Sequence, residues 1–115
     1  MFQEYIKQEI GEVVVEKVNL SRATLKEAED FKRTLVKDIE SGKKRIVVDL
    51  ADCEFIDSTF LGSLVVTLKK ITAIGGDIKL VGLQPKVRSM FELTRMYRVF
   101  ESYETVEEAV SSFAE

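Results

Sequence analysis

Histidine is missing from this chain of 115 residues, and with it the commonest general base and the commonest metal ligand. A Ser-His-Asp or Cys-His nucleophilic centre is therefore excluded. Cys53 is the one cysteine. It excludes an internal disulfide and, without histidine, a zinc site of the usual kind. A single thiol fits a reducing compartment. No apolar run approaches the roughly 18 residues that a membrane span needs. The opening Met1-Phe2-Gln3-Glu4-Tyr5 lacks the charged-then-apolar pattern of a secretory signal, so the expected location is cytoplasmic. Proline occurs once and the six glycines are scattered, leaving no linker, repeat or low-complexity stretch. Neither GxGxxG nor GxxxxGKS/T appears. A net charge of −3 and a pI of about 5.2 supply no basic field for nucleic acid. Together these absences argue against an enzyme, and against direct nucleic-acid or membrane binding.

What is present is ordinary for a globular protein. Hydrophobic residues make up 45% and charged residues 32%, enough for one core across residues 1–115 without staples. Met1 to Ile10 and the stretch from Val13 to about Val18 read as strands joined by a turn at Gly11. A helix follows from about Thr24 to Ser41. Thr24 and Glu27 have capping-box spacing, Leu25, Ala28, Phe31, Leu35 and Ile39 recur with helical period, and Gly42 suits the C-terminal cap. Ile46-Val47-Val48-Asp49-Leu50 reads as a strand buried on both faces. A second helix follows Asp57 and runs to about Ile74 with an inner stripe of Leu61, Leu64, Val65, Leu68, Ile71 and Thr72. Gly75-Gly76-Asp77 ends it before a strand at Ile78–Val81. Pro85 opens a third helix, with Val87, Met90, Phe91 and Thr94 at helical spacing. Val99-Phe100 is read as a brief edge strand. Thr105 and Glu108 form a second capping box, ahead of inward-facing Val106, Ala109, Val110 and Phe113. The order is ββαβαβα(β)α: an α/β domain with a mixed sheet of four to five strands and about four helices. Ligands and partners of such sheets gather at the carboxyl ends of the strands.

Asp57-Ser58-Thr59 lies at one of those ends, between the short Phe55-Ile56 and the second helix. All three residues are good N-caps, each stabilising a helix by roughly 1 kcal/mol over alanine. A hydroxyl there is also well placed to carry a phosphate, because the helix N-terminus favours negative charge. Three such residues in a row exceed what a cap requires, and with Ser58 as the cap the capping-box position holds Leu61. The outward face of the helix carries Thr59, Gly62, Val66 and Ala73, with Lys69 and Lys70 entering late. A solvated face normally carries more charge. Small side chains let another surface approach closely.

Phe55-Ile56-Asp57-Ser58-Thr59-Phe60-Leu61-Gly62 resembles the D-S-S/T-G-L-G signature of the STAS domain, most closely that of bacterial anti-sigma factor antagonists. The resemblance extends to the buried strand before the motif, Gly75-Gly76 after it, Leu83-Gln84-Pro85-Lys86-Val87, and the run from Phe100 to Ala109. It implies a single STAS-like domain over 1–115. It also implies a protein that binds an anti-sigma factor serine kinase, frees a sigma factor, and is inactivated by phosphorylation on Ser58. A phosphatase acting on phosphoserine would reset it. Asp57, Ser58, Thr59, Phe60, Gly62, Ser63 and Val66 become the partner-binding candidates. No catalytic residue, metal or cofactor is implied, and the expected state is a monomer or weak dimer. Phe60 departs from the signature, which has glycine there. It is expected either to reshape the partner surface or to tuck toward Ile71. Ser21 stands where the family often has an aspartate, in Val18-Asn19-Leu20-Ser21. A STAS scaffold or adaptor in a stress-signalling or transport assembly is the alternative within the fold. An anion- or nucleotide-binding protein is the alternative outside it.

Overall fold

The computed structural model describes residues 2–114; Met1, read above as part of the first strand, lies outside them. β1 (Tyr5–Ile10) and β2 (Val13–Val18) form an antiparallel hairpin. Gly11 makes its turn possible at φ 60°, a conformation that disfavours a Cβ. β3 (Arg22–Ala23) leads into α1 (Leu25–Glu40), followed by β4 (Arg45–Asp49), β5 (Phe55–Ile56) and α2 (Ser58–Thr72). β6 (Asp77–Val81), α3 (Pro85–Leu93), a 3-10 turn at Met96–Arg98, β7 (Ser102–Tyr103) and α4 (Val106–Ser112) complete the chain. Both expected capping boxes are formed, Thr24 with Glu27 and Thr105 with Glu108.

The main sheet has five strands in the order β1-β2-β4-β6-β7. Only β1 runs antiparallel to its neighbour; the other pairs are parallel and are joined by helical crossovers. β4 is central, with Val14 opposite Ile46 on one side and Ile78 opposite Ile46 on the other. Ile46 and Val48 face a core built with Phe31, Leu35, Leu64, Ile71, Val87 and Phe91 of α1, α2 and α3. Val47 faces a smaller core with Val13, Val15, Val81 and α4 residue Ala109. All three β4 side chains are fully buried, each worth about 1.5–3 kcal/mol relative to exposure. That explains the unbroken apolar run.

Two features depart from expectation. The edge strand is Ser102–Tyr103 and not Val99-Phe100. Arg95 adopts a left-handed conformation, φ 58°, the 3-10 turn follows it, and the Phe100 N–H is given to the Met96 carbonyl at 3.0 Å. The chain becomes extended only afterwards. The second departure is a separate two-stranded parallel sheet, β3 with β5, pairing Arg22 with Phe55 and Ala23 with Ile56. It fixes the approach to the Asp57 turn.

A charged cluster lies under the helical layer. Glu16 on β2 and Asp38 on α1 are almost wholly buried, and half-exposed Lys7 on β1 reaches Asp38 at 2.6 Å and Glu16 at 3.8 Å. Burial, together with the neighbouring Asp38, pushes the Glu16 carboxyl up to about 8. The Asp38 contact raises Lys7. Glu16 thus holds its proton at neutral pH, as expected for two carboxylates close together in a poorly solvated place.

Candidate functional site

The turn is built by Asp57. Its backbone is extended, φ −100° and ψ 178°, and its N–H is given to the Ala23 carbonyl at 3.3 Å. One carboxylate oxygen, Oδ1, accepts the Phe60 N–H at 2.9 Å and so caps α2. The other, Oδ2, accepts the Leu25 N–H at 2.9 Å, across 32 residues, at the start of α1. A single carboxylate therefore serves two helix N-termini, where unpaired N–H groups and helix dipoles both favour an anion.

This leaves Ser58 and Thr59 unencumbered. They occupy the first two helical positions, both are exposed, and neither hydroxyl has a hydrogen-bond partner among the described residues. Of the two readings open at the sequence level, a capping role for Ser58 is therefore replaced: Asp57 is the cap. The outer face of α2 lies as its periodicity indicated. Thr59 and Ala73 are exposed, Val66 is 43% exposed, Gly62 is half-buried, and a Cβ added at Gly62 would meet nothing.

Phe60 and Ser63 do not line that face. Phe60 is fully buried, and its ring stacks on Phe31 with centroids 5.1 Å apart and planes at 19°. The ring turns inward toward α1 and joins the core that also holds Ile71, so the inward expectation holds and the ring does not reshape the surface. Ser63 is 8% exposed, and its hydroxyl is given to the Phe60 carbonyl at 2.6 Å. Thr67 is buried and does the same with the Ser63 carbonyl at 2.8 Å. Hydroxyls satisfied within their own helix can enter a core at little cost. The buried stripe is accordingly Phe60, Leu61, Ser63, Leu64, Thr67, Leu68 and Ile71, while Val65 is only half-buried and Thr72 is exposed.

Leu25 was missed. Its helical spacing assigns it to the core, yet it is 67% exposed and its backbone is bonded to the Asp57 carboxylate. It adds an apolar side chain to the surface around Ser58. The signal was faint: a capping box at Thr24 makes Leu25 the first helical residue, ahead of the turns that pack. No group of three or more His, Cys, Asp or Glu suited to a metal ion occurs among the described residues. None of their helices is long and apolar enough to cross a membrane.

With this geometry in view, comparison with known proteins defines the class. The STAS domain model matches residues 21–109; the chain belongs to the STAS domain family. BtrV of Bordetella bronchiseptica, named for an inferred role as an anti-sigma factor antagonist, is 28% identical over 86 residues. That alignment covers 75% of this chain and 74% of BtrV. A Thermotoga maritima protein named in the same way is 38% identical over 72 residues, covering 63% of this chain and 64% of its own length. A crystal structure from Thermotoga maritima, likewise named, superposes with a TM-score of 0.88 at 28% identity, covering 96% of this chain and 95% of that one.

Proposed function

We propose that this protein is an anti-sigma factor antagonist that works by partner switching through Ser58. The observation that carries the reading is the free, exposed Ser58 hydroxyl beside a carboxylate already committed to two helix caps. Unmodified protein binds an anti-sigma factor serine kinase through Ser58, Thr59, Gly62 and Val66, with Asp57 holding the turn. That contact displaces the sigma factor. The kinase then transfers phosphate from its own ATP to Ser58, and a phosphatase reverses the step. Phe60 and Ser63 support this surface from inside and do not touch the partner.

The electrostatics suit a switch without refolding. A phosphoserine adds about −1.5 to −2 charges. At the first position of α2 the helix dipole tolerates them, so the fold survives. The Asp57 carboxylate is adjacent, so the local field becomes strongly negative. A partner fitted to a neutral hydroxyl and small side chains must then desolvate or oppose that charge. A loss of roughly 3 kcal/mol weakens binding more than a hundredfold.

The test is incubation with an anti-sigma factor kinase and ATP, followed by phosphosite mapping by mass spectrometry. Phosphate on Ser58 is expected, with none on a Ser58→Ala variant. Phosphate on Thr59 or elsewhere with Ser58 unmodified sinks the assignment.

A further inference from the structure

The exposed side of α1 is charged along its length with one exception. Lys26, Glu29, Asp30, Arg33, Lys37 and Glu40 are exposed, as the solvated face of an amphipathic helix should be. Among the described residues of α1, Leu25 is the one exposed position without a charge, and it is 67% exposed. Its side chain does nothing for the helix that it begins. Thr24 and Glu27 complete the capping box without it. The bond to Asp57 uses the Leu25 backbone N–H, which any residue but proline offers.

A leucine exposed by itself needs no explanation. This one is joined to the turn that presents Ser58. Its N–H reaches the Asp57 carboxylate at 2.9 Å, and Phe31 stacked on Phe60 holds α1 against α2. The neighbouring surface of α2 is uncharged as well. Ser58, Thr59 and Val66 are exposed, Gly62 is half-buried, and charge enters only at Lys69 and Lys70. The uncharged surface therefore continues from one helix onto the other at the double cap.

We propose that Leu25 is an apolar anchor of the same partner surface: the anti-sigma factor kinase that acts on Ser58 covers it with an apolar recess. The inference rests on the partner-switching reading given above and adds α1 to the surface that reading assigns to α2. Leu25 supplies affinity and selectivity, and takes no part in phosphoryl transfer. A hydroxyl on a mobile helix face would be a poor target; the Asp57 carboxylate fixes Leu25 and Ser58 relative to each other, so both can be recognised at once.

The test uses the full chain, the kinase and ATP. Leu25→Ala should raise the KM for phosphorylation of Ser58 about tenfold, or about 1.4 kcal/mol, with kcat retained, as loss of a uniform binding contact does. Titration without ATP should show the same loss of affinity. Leu25→Met should restore both, and Leu25→Gln, polar and of similar length, should not. The loss should be equal in low and high salt, because no charge is removed. The urea midpoints of all three variants should match that of the wild type. Normal phosphorylation of Ser58 with KM unchanged in Leu25→Ala overturns the proposal and leaves the Ser58 reading standing. A fall in kcat alone, wild-type affinity in Leu25→Gln, or a lowered urea midpoint in Leu25→Ala also overturns it. A wild-type protein that neither binds the kinase nor gains phosphate on Ser58 overturns the Ser58 reading itself, and this proposal with it.

Discussion

Asp57 is the residue on which the architecture of the turn depends, and its removal has a size that can be worked out. Its two oxygens accept two N–H groups, Phe60 on α2 and Leu25 on α1, each at 2.9 Å. Deleting an N-cap costs about 1 kcal/mol, with a range of roughly 0.5–2. A hydrogen bond to a charged group contributes about 1.5–3 kcal/mol, less where water reaches it, and Asp57 is half-buried. Asp57→Ala should therefore destabilise the protein by about 3 kcal/mol. Asp57→Asn separates the two contacts. Its one carbonyl oxygen can serve one N–H, while its NH₂ meets the other, donor against donor. A loss of roughly 1.5–2 kcal/mol is expected. Ser58→Ala, which removes no bond, should stay within about 0.5 kcal/mol, as surface substitutions usually do. Urea unfolding followed by circular dichroism measures all three. If Asp57→Ala costs less than about 1 kcal/mol, or no more than Ser58→Ala, the double cap carries no energy and the reasoning fails.

Two further predictions concern the core and the buried carboxylates. Phe60→Ala removes a fully buried ring stacked on Phe31 and should cost about 3–5 kcal/mol; a smaller loss measured by urea denaturation would mean that the ring is not a core residue. Glu16 gives a pH signature. Its folded pKa of about 8 lies above its ordinary 4.5, so the folded state binds the extra proton. Its stabilising contribution is full below about pH 4.5 and is lost as pH rises through 8. Lys7, which favours the charged form, already tempers this upward shift. Glu16→Gln should remove most of the wild-type loss of stability between pH 5 and 9, while an unchanged pH profile would contradict a Glu16 that holds its proton in the folded state.

The sequence made plain those elements whose causes are local. A capping box occupies four consecutive residues, so Thr24–Glu27 and Thr105–Glu108 marked two helix starts, both formed. Ile46-Val47-Val48 announced a strand between two layers because each face needs its own apolar residue. Pairings made at a distance were not legible. β3 and β5 are two residues each and have no periodicity to reveal them, and the Asp57–Leu25 bond joins residues 32 apart. Around Ser58, the outer face of α2 followed from its period. Its inner edge did not, because Phe31 on α1 draws Phe60 inward and the hydroxyls of Ser63 and Thr67 find partners within the helix. The edge strand was misplaced because Phe100 is apolar for the core and not for a ladder.

The central claim is that one phosphate on Ser58 breaks a partner contact while leaving the fold intact. Isothermal titration of an anti-sigma factor with unmodified protein, and then with protein stoichiometrically phosphorylated on Ser58, tests it most directly. The account predicts affinity reduced at least a hundredfold, with the urea midpoint of the phosphorylated protein almost unchanged. Equal affinity of the two forms would contradict it.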